Sequence, residues 1–207
     1  ERIADGRKRA TLERLLSTLT IVHRLVALPS PTDSMEVKLM WRAMRREHLT
    51  ARQRQAKGLT MADLQTILAT LNPDEPRDVR DAALLCTAFE TMFRRSELIG
   101  LQVQDLSVEA DGSGRLFLAH SKTDQEGVGV LQYVTPSTVD LLRNWMTMAN
   151  ITQGPMFRSC AHNRESFEKP LSDRDIARIF KNRALAAGMD AEFIERIVEW
   201  TDNEQTR

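Results

Sequence analysis

The segment from Asp78 to Phe93 is the most apolar in the chain, carrying Ala82, Ala83, Leu84, Leu85, Ala88, Phe89, Met92 and Phe93. Apolar side chains spread over most faces of one stretch read as a helix buried in a core rather than laid on a surface. That element ends in Arg94 and Arg95, so a buried helix delivers two cations at its exit.

Other segments supply the layers such a helix needs. Between residues 8 and 28, Leu12, Leu15, Leu16, Leu19, Ile21, Val22, Leu25 and Val26 recur at helical spacing, and Leu28-Pro29-Ser30-Pro31 stops the helix. Ser34 caps a second helix through Val37, Leu39, Met40 and Met44, whose other face carries Lys38, Arg42, Arg45 and Arg46. Thr50 to Gly58 is polar and basic, and reads as a linker. Thr60 with Asp63 makes a capping-box start for a helix through Leu71. Beyond the buried segment, Arg115 to His120 and Val128 to Val134 are strand-like, and the polar turn Ser121-Lys122-Thr123-Asp124 joins them as a β-hairpin. Thr135 or Ser137 starts a helix through Trp145 and Met148, Gly154-Pro155 breaks the chain, and Ser172 with Asp175 opens a helix that Gly188 ends. The expected fold is mainly α with a small antiparallel β-sheet, in two modules, 1–57 and 58–207.

The formal charge is zero over 207 residues, which by itself argues against a nucleic-acid partner, but the average hides a split. Residues 1–57 hold 13 basic and 6 acidic side chains, and residues 58–207 hold 16 and 23. The front module is basic. Two cysteines, Cys86 and Cys160, without metal-type spacing, make disulfides and a zinc site unexpected and fit a reducing, cytoplasmic setting. The start, Glu1-Arg2-Ile3-Ala4-Asp5, has no signal-peptide stretch, and no apolar run is long enough to span a bilayer, so the expectation is a soluble protein without a membrane partner.

Three sets of residues carry a resemblance to a known family. Asp78 to Leu85, then Phe93-Arg94-Arg95-Ser96-Glu97-Leu98-Ile99-Gly100-Leu101 and Val103-Gln104-Asp105-Leu106, form a buried helix, an exit arginine, a glutamate three residues on and a short strand-like segment. Ser121-Lys122-Thr123 sits at the hairpin tip. His23-Arg24, Leu28 to Ser34, and Val37, Leu39, Arg42 and Arg45-Arg46-Glu47 form a third set. Together these resemble tyrosine site-specific recombinases of the phage integrase family, the third set favouring the Cre-like branch. The resemblance implies a helical core-binding module followed by a catalytic domain that clamps duplex DNA, with a homotetramer assembled on two sites during synapsis. It implies transesterification through a 3′-phosphotyrosyl intermediate, without a metal or other cofactor.

On that resemblance Arg94 is the active-site arginine, Glu97 supports it, Arg95 is its variable neighbour, and Lys122 is the mobile lysine. Guanidinium groups suit the charge that builds on nonbridging phosphate oxygens, and a lysine near other cations can protonate the departing 5′-oxygen. Lys38, Arg42, Arg45 and Arg46 are the candidate phosphate contacts. Trp200 resembles the tryptophan that precedes the nucleophile. The family's His-x-x-Arg box and nucleophilic tyrosine are not present: Gly188 runs through Phe193-Ile194-Glu195 to Trp200 without the box, and no tyrosine follows. Tyr133, the only tyrosine, falls in the second hairpin strand and is expected to pack there. His162 and Arg164 are spaced as His-x-Arg, and His23, His48 and His120 read as ordinary histidines.

The expectation is that these residues belong to a longer protein, with the box lying in a segment missing near Phe193 to Glu195 and the nucleophile beyond Arg207. A deletion product or degenerate relative that binds DNA without cutting is the alternative, and a helical interaction module without nucleic acid is a third reading. Apart from the resemblance, Arg94 could merely cap helix carbonyls, Lys122 could be a solvated turn residue, the arginines after Lys38 a solubility surface, and Trp200 a packing residue.

Overall fold

The computed structural model describes residues 9–47, 59–119, 128–159 and 167–190. They fall into two compact units, one within residues 1–55 and the other beginning at Ala56. The Thr50 to Gly58 linker lies outside the described residues.

The first unit holds α1 (Arg9–Leu25), a 3-10 turn (Pro31–Asp33) and α2 (Met35–Glu47). The Ser30 hydroxyl accepts from the Thr32 N–H and caps the turn, while Ser34 Oγ accepts from Val37 N–H at the start of α2. The spacing of α1 makes it a helix, yet only Leu12 is buried in it. Ile21, Val22, Leu25 and Val26 are at least half exposed.

The second unit carries α3 (Met61–Leu68), α4 (Pro76–Thr91), α5 (Arg95–Gly100), β1 (Leu106–Val108), β2 (Gly114–Leu118), β3 (Val130–Val134), α6 (Pro136–Met148) and α7 (Asp173–Ala186). Thr60 and Asp63 close the capping box at α3, which stops at Leu68 with Ala69 as C-cap, short of Leu71. Helix α4 is the buried element: Ala83, Leu84, Leu85 and Ala88 are almost fully shielded. Thr135, rather than Ser137, caps α6, accepting from the Thr138 N–H. Ser172 and Asp175 box the start of α7, and Gly188, at φ +73°, takes the left-handed turn after it.

The strands form one antiparallel sheet in the order β1-β2-β3, with Leu116 opposite Gln132 and Phe117 opposite Leu131. The expected strand over Val103 to Leu106 is instead a 3-10 turn at Val103–Asp105, and β1 starts at Leu106. The Asp105 carboxylate accepts the Gln102 N–H at 2.7 Å, which closes that turn. Gly114 lets sheet and helix approach: a Cβ there would sit 2.8 Å from Val139 Cγ2 of α6. Tyr133 does not pack. Alternation along β3 buries Val134 and turns Leu131 and Tyr133 outward, leaving Tyr133 58% exposed opposite Arg115.

The core of this unit joins Leu84 and Leu85 of α4 to Leu98, Leu116, Val139, Leu142, Trp145, Ile176 and Phe180. Trp145 Nε1 donates to the Met156 carbonyl at 2.8 Å, and its ring meets Phe167 edge-on at 5.3 Å. No described helix is long and apolar enough to cross a membrane.

Candidate functional site

The site begins where α4 ends. Met92 takes the left-handed conformation as C-cap, Phe93 turns into the core, and Arg94 becomes the N-cap residue of α5. Glu97, one turn into α5, uses both carboxylate oxygens on this one residue: Oε2 accepts the Arg94 backbone N–H and Oε1 accepts Nη1, each at 2.8 Å. Glu97 is largely shielded, whereas the Arg94 side chain stays 31% exposed. A charge-assisted pair of this kind fixes the direction of a guanidinium while leaving part of it open to solvent.

The neighbouring Arg95 points elsewhere, its Nε lying 3.2 Å from Asp173 Oδ1 at the first turn of α7. At its other end, α7 is tied to α4. Arg183 Nε donates to Asp81 Oδ2 at 2.7 Å, and its Nη2 donates to Asp78. Asp81 Oδ1 in turn accepts from Arg80 Nη2 and Nε at 2.6 and 2.9 Å, and Arg80 Nη1 reaches the Arg158 carbonyl at 3.2 Å. Burial acts to lower the Arg183 pKa, but the Asp81 and Asp78 carboxylates outweigh it and hold the guanidinium above its ordinary value. Helix α7 is thus pinned to α5 beside Arg94 and to the buried helix that delivers Arg94.

This network escaped the sequence reading, although its signal was present. Arg80 and Asp81 interrupt the most apolar segment of the chain, and charges placed there require buried partners. A second long-range anchor runs from Glu90, near the end of α4, to the start of α6. Its carboxylate accepts from the Thr135 N–H, the Thr135 hydroxyl and the Thr138 hydroxyl at 2.7 to 2.9 Å. Cys86 lies one turn before it, its thiol pushed up to about 11 by burial and by the Glu90 charge.

The other expected site residues divide. Lys122 and Trp200 lie outside the described residues, as do His48, His120, His162, Arg164 and Cys160. His23 Nδ1 lies 2.8 Å from the Leu19 carbonyl on its own helix. Lys38, Arg42 and Arg46 follow one another at four-residue spacing along α2 and are exposed, with Arg45 beside them. Lys38 Nζ is 3.9 Å from Asp33 and Arg45 Nε is 3.9 Å from Glu13. Among the described residues, no ion pair is recorded for Arg42 or Arg46. The structure brings Arg94 and Glu97 together in one unit and the α2 cations together in the other.

The chain is similar to known proteins. The model of the phage integrase family matches residues 57–198. An integrase/recombinase xerD homolog of Selenomonas ruminantium is 30% identical over 197 residues, covering 91% of this chain and 57% of that protein. Recombinase cre of Escherichia phage P1 is 26% identical over 208 residues, covering 96% and 61%. The chain therefore spans about three-fifths of the length of these curated relatives. In fold, it is similar to XerH site-specific recombinase solved bound to difH substrate, with a TM-score of 0.52 at 13% identity over 92% of this chain and 57% of the other.

Proposed function

The chain belongs to the phage integrase family, and from that premise we propose that it is the DNA-handling part of a site-specific tyrosine recombinase. The observation that carries the reading is the Arg94 guanidinium, aimed by a shielded glutamate at the exit of the buried helix and left partly open to solvent. Arg94 binds the scissile phosphate and stabilises the charge that grows on its nonbridging oxygens in the transition state. Glu97 positions Arg94 without touching DNA. The attacking tyrosine comes from outside these 207 residues, since Tyr133 stands on the outer face of the sheet. Its oxygen bonds to phosphorus as the bond to the 5′-oxygen breaks, and Lys122, in the segment that joins β2 to β3 in sequence, delivers a proton to that oxygen. A 5′-hydroxyl of another strand then reverses the step.

Trp200 is the tryptophan that precedes the nucleophile in sequence in this reading, and the cations of α2 grip the phosphate backbone and set the position of the protein on the duplex. Residues 1–57 form part of a DNA-clamping module with its linker, and residues 58–207 form the catalytic domain without its second box. Four protomers on two duplex sites perform strand exchange, in the cytoplasm.

Titrating a labelled duplex by fluorescence anisotropy at several salt concentrations tests this. Affinity should fall linearly on a log-log plot with salt, and Arg94→Ala should weaken it. A chain without salt-dependent duplex affinity is an interaction module of another kind. The missing His-x-x-Arg box favours a second reading, a relative that binds without cutting. A nicked suicide duplex offered to the protein supplemented with the box and tyrosine segments separates the two: a covalent protein–DNA adduct supports the recombinase.

A further inference from the structure

We propose that Met92 is a DNA-contact residue, its thioether chain packing against the deoxyribose beside the phosphate that Arg94 holds. The inference rests on the recombinase reading above. Among the described residues, three non-glycines hold a positive φ: Ala27 at 54°, Met92 at 54° and Asn150 at 50°. Asparagine tolerates that region through its short polar side chain, and alanine brings only a Cβ. Met92 alone of the three places a long apolar side chain there.

Its position is the C-cap of α4, with its N–H on the Ala88 carbonyl at 3.0 Å, a place where glycine ends helices without strain. The side chain gives the fold little in return, since Met92 is 64% exposed. Exposure alternates along the turn: Phe93 is 6% exposed and points into the core, and the Arg94 side chain returns to 31%. Met92 thus stands exposed two residues before the partly exposed Arg94, with a buried phenylalanine between them. A phosphate held by Arg94 brings the C–H faces of the flanking sugars to that surface. A flexible, polarisable thioether suits such a partner, as its contact needs no hydrogen bond.

Two measurements on the intact chain test this. In the first, peroxide oxidation is followed by mass spectrometry with and without a saturating duplex. Met92 sulfoxide formation should slow several-fold on DNA, while Met61 of the same unit, 52% exposed, keeps its rate. The second uses Met92→Gly, which removes the left-handed strain and the contact together. Its Tm should rise by about 2–4 °C while duplex affinity falls roughly three- to tenfold. Met92→Leu should keep parental affinity.

A residue with only a structural role would move stability and binding in the same direction. Unchanged affinity in the glycine variant, a lowered Tm, or equal Met92 oxidation on and off a bound duplex each overturns the proposal alone. Failure of the parental chain to bind any duplex overturns the recombinase reading, and this inference with it.

Discussion

Replacing Asp81 by leucine should be among the most damaging single changes in the second unit. Asp81 has a side chain only 4% exposed and receives three donors: Arg80 Nη2 at 2.6 Å, Arg80 Nε at 2.9 Å and Arg183 Nε at 2.7 Å. Leucine shares the branching of aspartate but accepts no hydrogen bond, so the Arg80 guanidinium, 8% exposed, loses both of its bonds to Asp81 while keeping the one to the Arg158 carbonyl. Arg183 suffers less because it keeps Asp78 and is 21% exposed. Removing one partner of a buried ion pair costs about 3–5 kcal/mol. For a chain of this size that lowers the Tm by roughly 6–20 °C. Urea denaturation of parent and variant, read as the change in midpoint at constant slope, gives the loss directly. The double variant Arg80→Met with Asp81→Leu should recover most of it, since an apolar replacement of a whole buried pair is close to neutral. A loss below about 1 kcal/mol for Asp81→Leu, or no recovery in the double variant, would refute the view that this carboxylate neutralises a buried charge.

Three further outcomes are expected. Arg42→Ala and Arg46→Ala should each flatten the salt dependence of duplex binding by about 0.9 in log-log slope, whereas Lys38→Ala and Arg45→Ala, whose cations already lie 3.9 Å from carboxylates, should change it less. The Asp175 carboxyl is held below its ordinary value, first by the Ser172 hydroxyl, so its folded-state pKa is depressed. The stability it contributes is present above the unfolded carboxylate value of about 3.9 and is lost as pH falls through the lower folded value. Ser172→Ala should shrink that acid-side loss and cost about 1 kcal/mol at neutral pH, measured by urea titration at pH 7 and pH 3. Cys86, raised to about 11, should resist thiol reagents at pH 8 in the folded protein and react at an ordinary rate in denaturant.

Local signals account for much of what could be read from residue order. The polar caps at Thr60 and Ser172 and the apolar run of α4 mark helices whose hydrogen bonds close within a few residues, so neighbouring positions specify them. The fold class and the Arg94–Glu97 spacing were legible for the same reason: a three-residue offset across the start of a helix is a local geometry. Boundaries were less so. Val103 to Asp105 has strand-like composition, but one side-chain hydrogen bond from Asp105 turned it into a 3-10 turn.

What tertiary structure alone decided is which charges meet across the chain. The bond of Arg183 to Asp81 spans 102 positions, and Glu90 reaches Thr135 over 45, separations that no periodicity encodes. Nor does composition say which face of a strand is buried. Tyr133 was expected to pack, and the packing of β3 turned it out beside Arg115. By itself the sequence determined the local elements, and the family through its motifs, because both depend on neighbours along the chain. Packing decided that α7 is anchored beside Arg94 and that Met92 stands exposed next to it, because those depend on partners that only folding brings within bonding distance.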